Sequence, residues 1–195
     1  MYPSDLRARL RAVLDPEPRP TVPADTRLAA VLLPIVEKPS PHLVFTRRTD
    51  HLPRHAGEIS FPGGLLEGVD AGPAAAALRE AHEELGLEPS RVEVLGALSP
   101  VHTFVSSILI VPVVGILAEP PLLTPNDGEI AEVLEYRVAD LASAETRVEW
   151  PIDEHVYRGF AYEMDGRNTI WGATAHILHE FLGLVGKEVP WLTRN

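Results

Sequence analysis

Glu80, Glu83 and Glu84 lie close together in the run Arg79-Glu80-Ala81-His82-Glu83-Glu84-Leu85-Gly86-Leu87. Three carboxylates packed this densely suit a hard divalent cation, Mg2+ or Mn2+, which prefers oxygen ligands. The competing reading is a solvated acidic face. On a helix, residues four apart are neighbours separated by roughly 6 Å along the axis, so Glu80 and Glu84 share a face and Glu83 flanks them. Like charges so placed repel, and the last turn of a helix favours cations over anions. Arg79 reaches Glu83 across one turn, but a dication would neutralise more of the cluster.

A helix over residues 73–86 would carry these groups. Pro73 suits a first helical position and Gly86 a left-handed C-terminal one. Ala74, Leu78, Ala81 and Leu85 stack into a narrow apolar stripe that would seat the helix on a core. Upstream, Phe61-Pro62-Gly63-Gly64 provides a glycine pair, which lets a backbone approach a ligand closely. A glycine loop thus leads into an acid-rich helix. Arg47, Arg48, Arg54 and His55 precede the loop and could supply positive charge to a polyanionic substrate; the alternative is a solvated strand end.

From Arg79 to Leu87 the chain resembles the signature of the Nudix hydrolases: Gly, five residues, Glu, seven residues, then Arg-Glu-aliphatic-x-Glu-Glu-x-Gly-aliphatic. The first half is out of step. Counting back from Arg79, the signature glycine falls on Leu65 and the signature glutamate on Ala71, as if one residue were inserted, so Gly64 comes one place early and Glu67 or Asp70 is displaced. A longer stretch, Phe45-Thr46-Arg47-Arg48-Thr49, Leu52, Arg54-His55-Ala56-Gly57 and Ser60-Phe61-Pro62-Gly63-Gly64, is similar to the segment preceding the box in coenzyme A pyrophosphatases of that family. Trp171-Gly172-Ala173-Thr174-Ala175 is similar to the start of their last helix. The chain departs from the pattern at Pro53, where an arginine is expected and Arg54 follows.

The resemblance implies an α/β/α sandwich with a mixed sheet. It implies that Glu80, Glu83 and Glu84 hold Mg2+ or Mn2+, aided by the Gly63-Gly64 backbone, and that Arg79 orients the glutamates. It also implies that a glutamate on a later loop activates water. Glu129 and Glu132, after Pro125-Asn126-Asp127-Gly128, are the candidates, and Glu129 fits the pattern better; a turn-rich acidic loop is equally an ordinary solvated one. The implied reaction cleaves the pyrophosphate of coenzyme A or an acyl derivative to adenosine 3′,5′-bisphosphate and 4′-phosphopantetheine. ADP-ribose or another nucleoside diphosphate derivative is the alternative substrate, and a non-catalytic nucleotide-binding module the alternative of another class.

The elements that must position these residues follow the apolar pattern. Residues 27–36 and 42–48 read as a strand hairpin turning at Pro39-Ser40-Pro41. Residues 91–98, 104–117 and 130–138 read as further strands, with Pro112 and Gly115 pointing to a bulge or strand switch. Residues 170–185 read as a helix ended at Gly186. This order predicts an α/β architecture. Residues 4–14 read as a peripheral helix and the prolines of 15–25 as an extended connector, giving divisions of 1–26 and 27–195.

The 195 residues, 45% of them hydrophobic, are enough for one sizeable core. A net charge of −11 argues against a nucleic-acid partner. With no cysteine, thiol nucleophiles and thiolate metal sites are excluded. No stretch of about 18 apolar residues is present to span a membrane, and a soluble cytoplasmic protein is the simplest expectation. His82, His102, His155, His176 and His179 lack the spacing of a zinc site.

Overall fold

The computed structural model describes residues 4–51, 55–103, 107–152, 155–190 and 193. In chain order its elements are α1 (Ser4–Val13), β1 (Arg27–Val36), β2 (His42–Arg48), β3 (Ile59–Ser60), β4 (Gly63–Leu65), α2 (Pro73–Leu85), β5 (Glu93–Ala97), β6 (Val101–His102), β7 (Ile108–Leu117), β8 (Ile130–Arg137), α3 (Val138–Ala144), β9 (Glu145–Ile152), β10 (His155–Met164), β11 (Asn168–Ile170) and α4 (Gly172–Glu188).

After Arg27, β1 carries no polar side chain, the pattern of a strand covered on both faces. It lies inside a mixed sheet and pairs in parallel with β7 along its whole length. Alternation then sorts its residues. Ala30, Leu32 and Val36 face α2, together with Val111 and Val113 of β7. Leu33 and Ile35 face the opposite layer, where Phe45, Phe61, Phe181 and Leu178 are buried. The result is a mixed sheet flanked by helices.

The hairpin from β1 to β2 closes only at Ile35↔Leu43 and Val36↔His42. Beyond those pairs the strands part, and the Phe61-Pro62-Gly63-Gly64 segment fills the fork. β4 pairs with Ala29, Ala30 and Val31 of β1, and the Leu32 amide donates to the Pro62 carbonyl at 2.8 Å. β3 lies along Thr46 and Arg47 of β2, whose long partner is β8. A bulge in the β5–β7 ladder, between Val94 and Gly96, meets Gly115 and Val114 of β7.

Four expectations need correction. The helix at the N-terminus is not peripheral: Leu6, Leu10 and Leu14 are buried in the same cluster as Leu33 and Phe181, and Arg7 bonds both Glu37 and Glu93. α4 does not stop at Gly186 but continues to Glu188, because Val185 and Val189 flank that glycine and are both fully buried. The strand expected over 104–117 is β7 from Ile108; residues 104–106 lie outside the described ones. A second, three-stranded sheet, β11-β10-β9, occupies a region for which the sequence predicted no strands. Its polar and apolar residues are mixed because much of it faces solvent, as at Glu149 paired with Arg158.

Candidate active site

α2 begins with Pro73 in its first turn and ends at Gly86, whose φ of 64° is the left-handed conformation that glycine adopts without a Cβ penalty. The Gly86 amide donates to the His82 carbonyl and the Leu87 amide to the Ala81 carbonyl, closing the last turn. Ala76, Ala77 and Ala81 are fully buried against the sheet. Their small side chains bring the helix close to β1 and β4, so the next residues round the helix, Glu80 and Glu84, are pressed onto the glycine loop.

Gly63 and Gly64 make this approach possible. A Cβ on Gly63 would strike the backbone of Ala30 and Val31, and one on Gly64 would strike the Glu80 carboxylate. Glu84 is only 7% exposed. Its Oε2 accepts the Gly63 amide at 3.3 Å, and its Oε1 lies 3.9 Å from Nη1 of Arg48. Burial pushes the Glu84 carboxyl up to about 7, against the opposing pull of the Gly63 amide, with the charges of Glu80, Arg48 and Glu129 also felt there. Burial raises Glu80 as well, and its bond from Arg79 offsets that in part.

Arg79 anchors the cluster. Its Nε and Nη2 donate to the two Asp70 oxygens, both at 3.1 Å, Nη2 also to the Leu65 carbonyl, and Nη1 to Glu80 at 2.9 Å and Glu83 at 3.2 Å. Asp70 therefore meets Arg79 even though the signature position falls on Ala71. Gly64 and Asp70 keep the signature's spacing of five intervening residues, so the extra residue falls between Asp70 and Arg79; Asp70 also accepts the Glu67 amide. The Arg79 guanidinium, followed by the Glu67 amide, holds the Asp70 carboxyl below the usual carboxylate range.

The remaining candidates divide. Arg48 faces Glu84, and its Nε is buried without a hydrogen-bond partner. Arg47, the next residue on the strand, pairs instead with Glu132 at 3.3 Å, and Glu132 also binds Arg167 at 2.7 Å. Strand alternation puts that group on the face opposite α2. His55 is exposed, has φ 57°, and bonds Glu58 rather than the cluster. Arg54 lies outside the described residues. Glu83 is more than half exposed and turned toward Arg79, whereas Glu129 is exposed on the loop facing Glu84.

Among the described residues, no group of three or more His, Asp or Glu side chains is arranged to hold a metal ion. The donor set still fits a hard dication. Mg2+ is commonly held by one or two carboxylates, with water and substrate phosphates completing its shell. Glu84 is buried and Glu80 partly buried, desolvation disfavours the ionisation of both, and a bound cation would offset that cost.

Sequence reasoning did not identify the connection between α2 and the loop before β8. The Thr124 amide donates to the Leu85 carbonyl and the Asn126 amide to the Glu84 carbonyl, both at 2.8 Å. Turn residues in Pro125-Asn126-Asp127-Gly128 signal a loop, but no local pattern says which carbonyls it will meet.

Residues 25–160 match the family model described as NUDIX domain. The chain is 38% identical over 184 residues to a protein of Pectobacterium atrosepticum named Uncharacterized Nudix hydrolase NudL, covering 91% of each. It is 39% identical over 168 residues to the protein of that name from Shigella flexneri, covering 84% of this chain and 85% of that one. Among solved structures, a MutT/nudix family protein from Enterococcus faecalis superposes with a TM-score of 0.56 at 15% identity, over 90% of this chain and 69% of that one. The Nudix hydrolase RenU of M. smegmatis gives 0.51 at 24%, over 60% and 74%. At these identities the two structures speak for the fold alone.

Proposed function

The chain belongs to the Nudix family and is a hydrolase of phosphoric anhydride bonds, and from that premise we propose that it cleaves the pyrophosphate of coenzyme A or an acyl-coenzyme A. The observation carrying this reading is the Arg48 guanidinium, which stands beside the buried Glu84 with its Nε unpartnered. A buried donor without an acceptor costs free energy until one arrives, and a phosphate oxygen is the natural acceptor for a guanidinium. The segment from Phe45 to Gly64 supports coenzyme A as the source of that phosphate.

Glu80 and Glu84, with the Gly63-Gly64 backbone, would hold the divalent cation, Mg2+ or Mn2+. When bound, it supplies positive charge to the phosphate oxygens and lowers the pKa of a coordinated water. Arg79, tied to Asp70, fixes the Glu80 and Glu83 side chains, and Arg48 orients the substrate anion. Glu129 takes the proton of the attacking water. Glu132 does not serve as this base, because it is occupied by Arg47 and Arg167. Water adds to one phosphorus, the bridging P–O bond breaks, and adenosine 3′,5′-bisphosphate and 4′-phosphopantetheine leave.

Product analysis with coenzyme A, 3′-dephospho-coenzyme A and ADP-ribose, each with Mg2+, Mn2+ or chelator, tests the reading. Metal-dependent release of adenosine 3′,5′-bisphosphate, with poor turnover of the two substrates lacking the 3′-phosphate, is expected. Preference for those two would assign the site to another nucleoside diphosphate derivative. Silence on all three would favour a non-catalytic binder.

A further inference from the structure

We propose that Asn126 is a positioning residue for the reaction, fastening the turn that carries Glu129 to the C-terminal end of α2 and so fixing Glu129 relative to Glu84. The inference rests on the assignment of Glu129 as the base.

The last carbonyls of a helix have no partner within it. In α2, the His82 and Ala81 carbonyls are met by Gly86 and Leu87, and those of Glu84 and Leu85 are met from outside the helix. The Thr124 and Asn126 amides, two residues apart on the loop before β8, donate to the Leu85 and Glu84 carbonyls respectively. Asn126 then closes the turn beyond it. Its Oδ1 accepts the Gly128 amide at 3.1 Å, and its carbonyl accepts the Glu129 amide at 2.9 Å and the Ile130 amide at 2.8 Å. The Glu129 carbonyl accepts the Thr49 amide at 2.9 Å, which pins the far side of the turn beside Arg48.

One residue therefore joins the backbone of a metal-holding glutamate to the backbone of the base. Carboxylates on separate elements stay in register only if those elements do, and small misplacements of reacting groups cost large factors in rate. Asparagine suits the position because its side chain caps its own turn two residues on. Alanine keeps the backbone bonds to Glu84, Glu129 and Ile130 but lacks the acceptor oxygen that shapes the turn, which aspartate offers.

The test compares Asn126→Ala, Asn126→Asp, Glu129→Gln and the double variant Asn126→Ala/Glu129→Gln in the full chain, with coenzyme A and Mg2+. Hydrogen exchange at the amides of residues 128–130 is followed in parallel. Asn126→Ala is expected to lower kcat by about tenfold or more while KM stays within about twofold. Asn126→Asp should restore most of the loss, and the double variant should be no slower than Glu129→Gln alone. Wild-type kcat in Asn126→Ala, or additive losses in the double variant, would overturn the proposal while leaving the base assignment intact. If Glu129→Gln itself turns over at the wild-type rate, the base assignment falls, and the anchoring is judged by exchange alone. Faster exchange in Asn126→Ala at Glu129 and Ile130, whose acceptor is the backbone carbonyl that alanine keeps, then upholds the anchoring, and unchanged exchange there removes it.

Discussion

The two faces of the main sheet are built from different sizes of residue. Against α2 the sheet meets Ala76, Ala77 and Ala81, whereas the opposite layer is filled by Phe45, Phe61, Phe181 and Tyr162. Phe45 and Phe61 stack there with ring centroids 4.6 Å apart. The large side chains bury more area per residue, and so provide most of the apolar stabilisation. The alanines provide little, but they bring a helix backbone close enough for its glutamates to rest on a glycine loop. One face holds the fold together, and the other spends packing volume on bringing charged groups together.

If that division is right, damage to the two faces should be separable. Phe181→Ala is expected to cost about 3–5 kcal/mol of stability, read from urea unfolding, with turnover per folded molecule nearly unchanged. Glu84→Gln should do the reverse. We expect kcat to fall by about 100-fold, or about 2.7 kcal/mol, with no loss in melting temperature, since a neutral isostere replaces a carboxylate whose charge is disfavoured by burial. Mg2+ or Mn2+ is expected to raise the melting temperature of the wild type through preferential binding to the folded state, and Glu84→Gln should abolish that rise.

Ala81→Leu probes the close approach itself. It should cost about 1–3 kcal/mol through overpacking, and lower turnover in the molecules that still fold because α2 is lifted from β4. A uniform loss of stability with wild-type turnover would show that the helix height does not matter to catalysis. The smallest effect concerns the Arg79–Asp70 pair. Because Asp70 is held below its unfolded value, its contribution is fully present above about pH 3.9 and is lost as pH falls through the lower folded value. Asp70→Asn should therefore flatten the acid limb of stability below about pH 4, and identical limbs would remove the pair from the account.

Much of the active face was legible because its signals are local. Pro73 and Gly86 bracket α2 as the sequence predicts, and β1 and β2 coincide with the apolar runs at 27–36 and 42–48. The second sheet was not legible. Its strands alternate with charged residues such as Arg147, Glu149 and Arg158, so they lack the apolar runs that marked the central strands. Gly186 was misleading for a related reason: a glycine marks a helix end only when nothing beyond it is buried, and Val189 is.

The same boundary runs through the site. The sequence by itself determined that Glu80 and Glu84 share a helix face beyond a glycine pair, since spacing and turn chemistry need no distant partner. It left open whether Glu67 or Asp70 of the loop would meet Arg79, which of Arg47 and Arg48 would face Glu84, and where the Asn126 turn would land. Those choices were made by the tertiary structure: the fork between β1 and β2 sets the loop's path to Asp70, the β2–β8 register sends Arg47 to Glu132, and the carbonyls at the end of α2 accept whichever amides the fold brings to them. Each depends on contacts between segments far apart in the chain, and loop entropy and burial decide such contacts only when the whole core forms.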